Sequence, residues 1–456
     1  MIGRLTQLFS GTGLKARALR GSALTFLTFG GGQLLRLISN LILTRLLFPE
    51  AFGLMALVQV FVTGLQMFSD IGLVSAIIQS KRGDDPVFLN TGWTMQVVRG
   101  AGLALVAVAL AIPAAQFYDQ PMLTQLLPVV AINALVNGFV STKIASANRQ
   151  LVLGRLTVLE LSAQLVGILT MIALALVLKS VWALVIGTVV GTAFKVAMSH
   201  LYLPGPRNRL AFERPAFLEL FHFGKYIFFS SICGFFINYG DRAILGKFVS
   251  LSDLAFYNIA FFFATVPLML THQFVQKIML PLYREKPTRD SVQNRRAVSR
   301  ARGLLTGAMI ASALVLAIIG DGLVRFLYTP EYHMAAPLLV ALALGSLPVL
   351  ITTSYANLLV SQGNSRGFAI ILLATAVLQT GFLIMGAQQI GVLGAVFASG
   401  AAAICAYPLL VWLLRPYAAW DPRHDLGFAA LSLVAGGLIL WLKPDVYAQL
   451  LAFLPG

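Results

Sequence analysis

The chain has 456 residues, of which 58% are hydrophobic and only 11% charged, with a formal net charge of +16. Soluble domains carry about 25% charged residues, so a water-soluble fold is excluded and a multi-span membrane protein is indicated. Two cysteines, Cys233 and Cys405, sit in apolar runs, and five histidines are scattered. Neither a disulfide framework nor a zinc site has the spacing it needs.

Residues 1–21 are polar and basic, with Arg4, Lys15, Arg17 and Arg20. No small-residue cleavage site follows, so the segment reads as a cytoplasmic tail, or an amphipathic helix on the inner leaflet, and not as a signal peptide. Gly30-Gly31-Gly32 follows no strand and opens an apolar helix. That context fits close packing or a hinge, not a phosphate loop.

About twenty apolar residues cross a bilayer as a helix. Runs of that kind occupy 22–43, 52–78, 88–112, 123–141, 156–178 and 181–203. After a polar linker at 204–222 come 223–245, 254–280, 303–320, 334–359, 368–387 and 391–414. A thirteenth run at 426–442 and a short apolar tail at 446–455 complete the chain. The expected organisation is all-α: an N-lobe of six transmembrane helices at 22–203, a C-lobe of six at 223–414, and one or two extra helices within 415–456.

With the N-terminus placed in the cytoplasm, 22 of the 33 Lys and Arg residues fall in cytoplasmic segments and 5 in outside ones. That is the positive-inside pattern. The +16 therefore records orientation and does not call for a nucleic-acid partner. The lobes echo each other: Phe29-Gly30, a span, Arg45 and a second span correspond to Phe223-Gly224, a span, Lys247 and a second span. Six spans per half make parallel repeats, which would place substrate between the lobes near mid-membrane. Outside loops are short, so no outer domain is present to act on a sugar.

Polar residues inside the spans are costly and point to function. Gln33, Arg36 and Asn40 share one face of the first run, and Gln59, Thr63, Gln66 and Asp70 share one face of the second. The intramembrane bases are Arg36, Arg99, Lys195, Lys225, Arg242 and Lys277, against the acids Asp70, Glu160 and Asp241. Lys225 and Lys277 can snorkel from helix ends. The surplus predicts a cationic cavity for an anionic group such as a pyrophosphate, with Arg36, Asn40, Arg99, Lys195, Asn238 and Arg242 as candidate substrate contacts. Asp70, Glu160, Asp241 and His272 are the candidate cavity acids or ion-coupling groups. The competing reading is internal ion pairing. No catalytic constellation appears, and nothing implies a cofactor or a metal.

The stretch LTRLLFPEAFGLMALVQVFVTGLQMFSDIGLVSAIIQ, with TGWTMQVVRG at 91–100 and VWALVIG at 181–187, resembles oligosaccharide flippases of the Wzx/polysaccharide transporter type. NYGDRAILGKFVSLSDLAFYNIA at 238–260, leading to LPLYRE at 280–285, is similar to the second-lobe hairpin of that family. The likeness covers about residues 20–415 and is nearest to the WzxC-like, colanic-acid type of exporter. These proteins belong to the superfamily of multidrug, oligosaccharidyl-lipid and polysaccharide (MOP) exporters.

The resemblance implies a V-shaped two-lobe bundle and a non-enzymatic flippase of the bacterial inner membrane. Its substrate would be an undecaprenyl-pyrophosphate-linked oligosaccharide repeat for exopolysaccharide, capsule or lipopolysaccharide assembly, moved by alternating access. Expected partners are that lipid-linked sugar, membrane lipids, and the polysaccharide polymerase and chain-length machinery. Three rivals stand beside it: an ion-coupled multidrug antiporter, a membrane glycosyltransferase or polymerase, and a non-transporting component of the assembly complex.

Overall fold

The computed structural model describes residues 14–70 and 72–454. The basic segment 1–21 therefore lies largely outside the described residues. All regular structure among them is helical. Eleven helical segments are long and apolar enough to cross a membrane, or twelve if one bent pair counts as a single span. Large side chains such as Leu105, Val177, Leu304, Phe326 and Leu433 lie exposed on these helices. So much exposed apolar surface suits a protein that lipid covers.

Contacts divide the chain into two compact units, Met1–Ile232 and Cys233–Gly456. In the first, α1 (Leu14–Leu43) packs on α8 (Leu153–Leu178). The Gln164 amide donates to the Gly32 carbonyl at 2.8 Å, and Gly31 faces Leu161. Gly31 and Gly32 thus form a packing surface. Next come α2 (Pro49–Met67), α3 (Leu73–Gln79), α4 (Pro86–Ala109), α5 (Ala111–Tyr118), α6 (Leu123–Gly138), α7 (Lys143–Arg149) and α9 (Trp182–Leu201). Helices α6 and α7 form the bent pair, at 54°. Proline supplies the first residue of α2 and of α4, where its missing N–H costs nothing.

Two expectations for this unit change. The run 52–78 is not one helix: it stops at Met67 and resumes at Leu73, after Gly72 in the left-handed region with φ +60°. The linker 204–222 is not loop throughout, because α10 (Arg214–Phe248) already begins inside it. The extended part is docked. Backbone N–H groups of Arg209, Ala211 and Glu213 donate to the side chains of Asn90, Thr94 and Thr91 at 3.0–3.1 Å. The polar start of α4 is thus a rail for the linker.

The second unit takes the rest of α10, then α11 (Leu251–Ala264), α12 (Val266–Phe274), a π turn (Val275–Met279) and α13 (Leu280–Glu285). It continues with α14 (Val292–Leu327), α15 (Ala335–Gly345), α16 (Leu347–Ser361), α17 (Ser365–Ile390), α18 (Val392–Leu414), α19 (Pro422–Leu442) and α20 (Pro444–Leu451). Helix α14 has 36 residues and extends well beyond the apolar run 303–320 that predicted it. Helix α20 has 8 residues, about 12 Å, too short to span a bilayer. One main apolar cluster gathers Tyr283, Tyr355, Leu358, Leu410 and Leu413 from three helices.

Candidate functional site

Arg36 lies exposed on α1, and its guanidinium makes no ion pair with a described residue. Asn40, one turn on, is half-buried. An exposed charge is costly against lipid and needs water or a polar partner.

Arg99 is placed differently. From α4 it reaches the end of α2, donating from Nε to the Ser69 hydroxyl at 2.9 Å and from Nη2 to the Gln66 carbonyl at 3.2 Å. Asp70 accepts the Gly72 backbone N–H at 2.8 Å, which stabilises the break. A helix C-terminus carries orphan carbonyls and partial negative charge, and Arg99 answers both. Arg149 does the same at the end of α3, donating to the carbonyls of Ile77, Ile78 and Ser80 at 2.6–3.1 Å. The C-terminus of each half of the broken span is therefore closed by an arginine from another helix.

Lys195 of α9 pairs with Glu160 of α8 at 2.8 Å. On the loop before α4, Arg82 bridges Asp85 at 2.5 Å and Glu213 at 2.6 Å. The Arg82 hydrogen bond, helped by the Val87 backbone N–H, holds the Asp85 carboxyl below the usual carboxylate range.

In the second unit, Arg242 and Asp241 are buried, at 9% and 4% exposure. Arg242 donates to the Asn258 side chain at 2.9 Å and the Asn238 carbonyl at 3.0 Å, and lies over the Phe261 ring at 4.1 Å. Asp241 accepts from the Tyr257 hydroxyl at 2.7 Å, with the Arg242 guanidinium 3.6 Å away. Asn238 is exposed, its amide bonded to the Gly234 carbonyl at 2.8 Å. His272 is exposed on α12, one turn before the π segment. There Gln276 donates to Asn357 of α16 at 3.4 Å.

The candidate cations thus separate into two groups. Arg99, Lys195 and Arg242 are engaged within their own units, whereas Arg36 presents its charge. Asn238 and His272 are exposed as well, on other helices.

A further constellation went unread in the sequence. Arg302, which lies between the apolar runs 254–280 and 303–320, is 1% exposed inside α14. It stacks on the Tyr355 ring at 3.9 Å and donates to the Ala419 carbonyl at 3.0 Å and the Tyr283 hydroxyl at 3.3 Å. Asp425, in the first turn of α19, accepts from the hydroxyls of Tyr355 at 2.8 Å and Tyr407 at 2.5 Å. His424 Nδ1 lies 2.8 Å from the same carboxylate. The one sequence signal is an aspartate just before the thirteenth apolar run.

A family described as polysaccharide biosynthesis protein matches residues 42–337. The chain belongs to that family. Among curated relatives, it is 24% identical over 322 residues to the succinoglycan biosynthesis transport protein ExoT of Rhizobium meliloti (strain 1021), covering 70% of this chain and 63% of that one. It is 20% identical over 303 residues to the teichuronic acid biosynthesis protein TuaB of Bacillus subtilis (strain 168), covering 66% and 62%. It is also 20% identical over 311 residues to the lipopolysaccharide biosynthesis protein WzxC of Escherichia coli (strain K12), covering 67% and 62%. The match thus spans less than two thirds of each relative's length.

Two solved folds are similar. The lipid II flippase MurJ, in an inward closed conformation, aligns with TM-score 0.66 at 14% identity, over 95% of this chain and 98% of that one. An inward-facing MATE multidrug resistance transporter of the MOP superfamily aligns with TM-score 0.64 at 13% identity, over 85% and 95%. This member of the polysaccharide biosynthesis family therefore has the fold of the MOP transporters.

Proposed function

We propose that the protein is a flippase of the bacterial inner membrane, N-terminus in the cytoplasm, that moves an undecaprenyl-pyrophosphate-linked oligosaccharide repeat from the inner to the outer leaflet. The carrying observation is the exposed Arg36 within the mostly apolar last part of α1. Hydrocarbon cannot accommodate that charge cheaply, whereas a pyrophosphate is its natural partner through the planar guanidinium fork. The barrier to flipping is the passage of phosphate charge and glycan hydroxyls through oil. Wetted polar groups, Arg36 and Asn40 in the first unit and Asn238 and His272 in the second, lower that barrier while the polyprenyl tail stays in lipid. Alternating access and hand-over to a polymerase and its chain-length partners complete the proposal.

The multidrug antiporter reading needs an open acidic site for a cation. The acids here are occupied. Glu160 is paired with Lys195, Asp241 is buried against Tyr257 and Arg242, and Asp70 closes the helix break. Those partners favour the anionic lipid substrate.

Deleting the gene in its host tests the proposal. The expected result is loss of one surface polysaccharide, accumulation of its lipid-linked repeat unit on the inner leaflet, and unchanged drug sensitivity. Normal polymer together with new drug sensitivity would instead support the antiporter.

A further inference from the structure

The His424–Asp425 pair in the second unit has no part in the proposed substrate face. Its side chains are almost fully buried, at 5% and 6% exposure. Every element around it contributes a polar group. Helix α14 brings Ser299, Arg302 and Thr306, α16 brings Tyr355, α18 brings Tyr407, and the turn before α19 brings Asp421. Tyr283 of α13 closes the far side of Arg302. Arg302 Nε has no hydrogen-bond partner.

The charges balance when the His424–Asp425 pair takes up one proton. Arg302 contributes one positive charge, and Asp421 and Asp425 one negative charge each. With a neutral His424 the cluster carries net −1; with an imidazolium it carries zero. Both ring nitrogens already have partners suited to that change. Nδ1 faces Asp425 Oδ1 at 2.8 Å, and Nε2 faces the Thr306 hydroxyl at 3.2 Å. A neutral ring donates from Nδ1 and accepts at Nε2. A proton added at Nε2 makes both nitrogens donors, and the Thr306 hydroxyl, which rotates, serves either state. An uncompensated charge in so dry a setting is expensive, and its neutralisation favours the packed form.

We infer that His424 with Asp425 is a proton-binding site whose occupancy fastens α19 to α14, α16 and α18. One proton enters at His424 Nε2 from solvent and leaves by the same nitrogen, and no other bond changes. Trp420, whose indole donates to the Tyr407 hydroxyl at 3.0 Å, stands exposed at the edge of the cluster. The site's use as a coupling site rests on the transport reading above; the site itself does not.

Hydrogen exchange on the full chain in lipid nanodiscs tests it, read on peptides covering 421–430 and corrected for intrinsic rate. Protection at about pH 5.5 should exceed that at about pH 8 by about tenfold, and His424→Gln should remove the dependence. Thr306→Val keeps the imidazole and takes away its Nε2 partner, so it should move the midpoint. A flat wild-type profile, the same dependence in His424→Gln, or an unmoved midpoint in Thr306→Val overturns the inference. A protein that shows the dependence yet flips no lipid-linked sugar would sink the transport reading and leave the site standing.

Discussion

Arg36 and Arg242 look alike in the sequence, each on an apolar run with an asparagine one turn away. Their surroundings are opposite. Arg36 is exposed, whereas Arg242 is enclosed by Asn258, the Asn238 carbonyl and the Phe261 ring. Arg36→Ala should leave stability within about 0.5 kcal/mol, as for a surface change, and still reduce polymer export. Arg242→Ala strands the buried Asp241 carboxylate and should cost about 3 kcal/mol. Unfolding in detergent alongside an export assay separates the two. Equal stability losses would mean that Arg36 is also structural. The sequence named both residues because charge at membrane depth is legible from composition alone. It could not rank them, since burial of Arg242 depends on Asn258 and Phe261 from the following helix.

At the scale of elements, the spans were legible wherever apolar length alone decides them. The exceptions have local causes. The run 52–78 is apolar almost throughout, yet Gly72 in the left-handed region and the Asp70 turn interrupt it. Arg99 and Arg149 then close the exposed ends from other helices. No periodicity reports a tertiary cap. Close helix contacts also depend on glycine. Gly394 of α18 meets the backbone of Gly386 of α17, and a Cβ there would overlap it. Gly427 on α19 has open space around the same position. Gly394→Ala should therefore lower stability by about 1–3 kcal/mol by overpacking. Gly427→Ala should be neutral or stabilising by up to about 1 kcal/mol through helix propensity. Thermal unfolding of the two variants checks the contrast, and equal effects would contradict the close approach of α17 and α18.

For the molecule as a whole, an all-helical membrane fold follows from the number of apolar runs, whereas the transporter fold was legible only through the resemblance to the flippase family. The charge distribution is subtler. Of the cations read as a cavity surplus, Lys195 is paired with Glu160, and Arg99 and Arg242 are absorbed by backbone and side-chain acceptors. Meanwhile Arg302, read as an orientation charge, is buried against Tyr355. Its acceptor at Ala419 lies 117 residues away, a separation at which sequence spacing carries no signal. The functional account therefore concentrates on Arg36 and the exposed polar groups, a narrower basis than a diffuse positive cavity. Its most direct test is movement of a defined undecaprenyl-pyrophosphate-linked oligosaccharide across proteoliposomes holding the purified chain. The account predicts translocation well above protein-free vesicles, reduced about tenfold by Arg36→Ala, the equivalent of about 1.4 kcal/mol lost from one phosphate contact. Translocation no faster than in empty vesicles, or unaltered by that substitution, would contradict it.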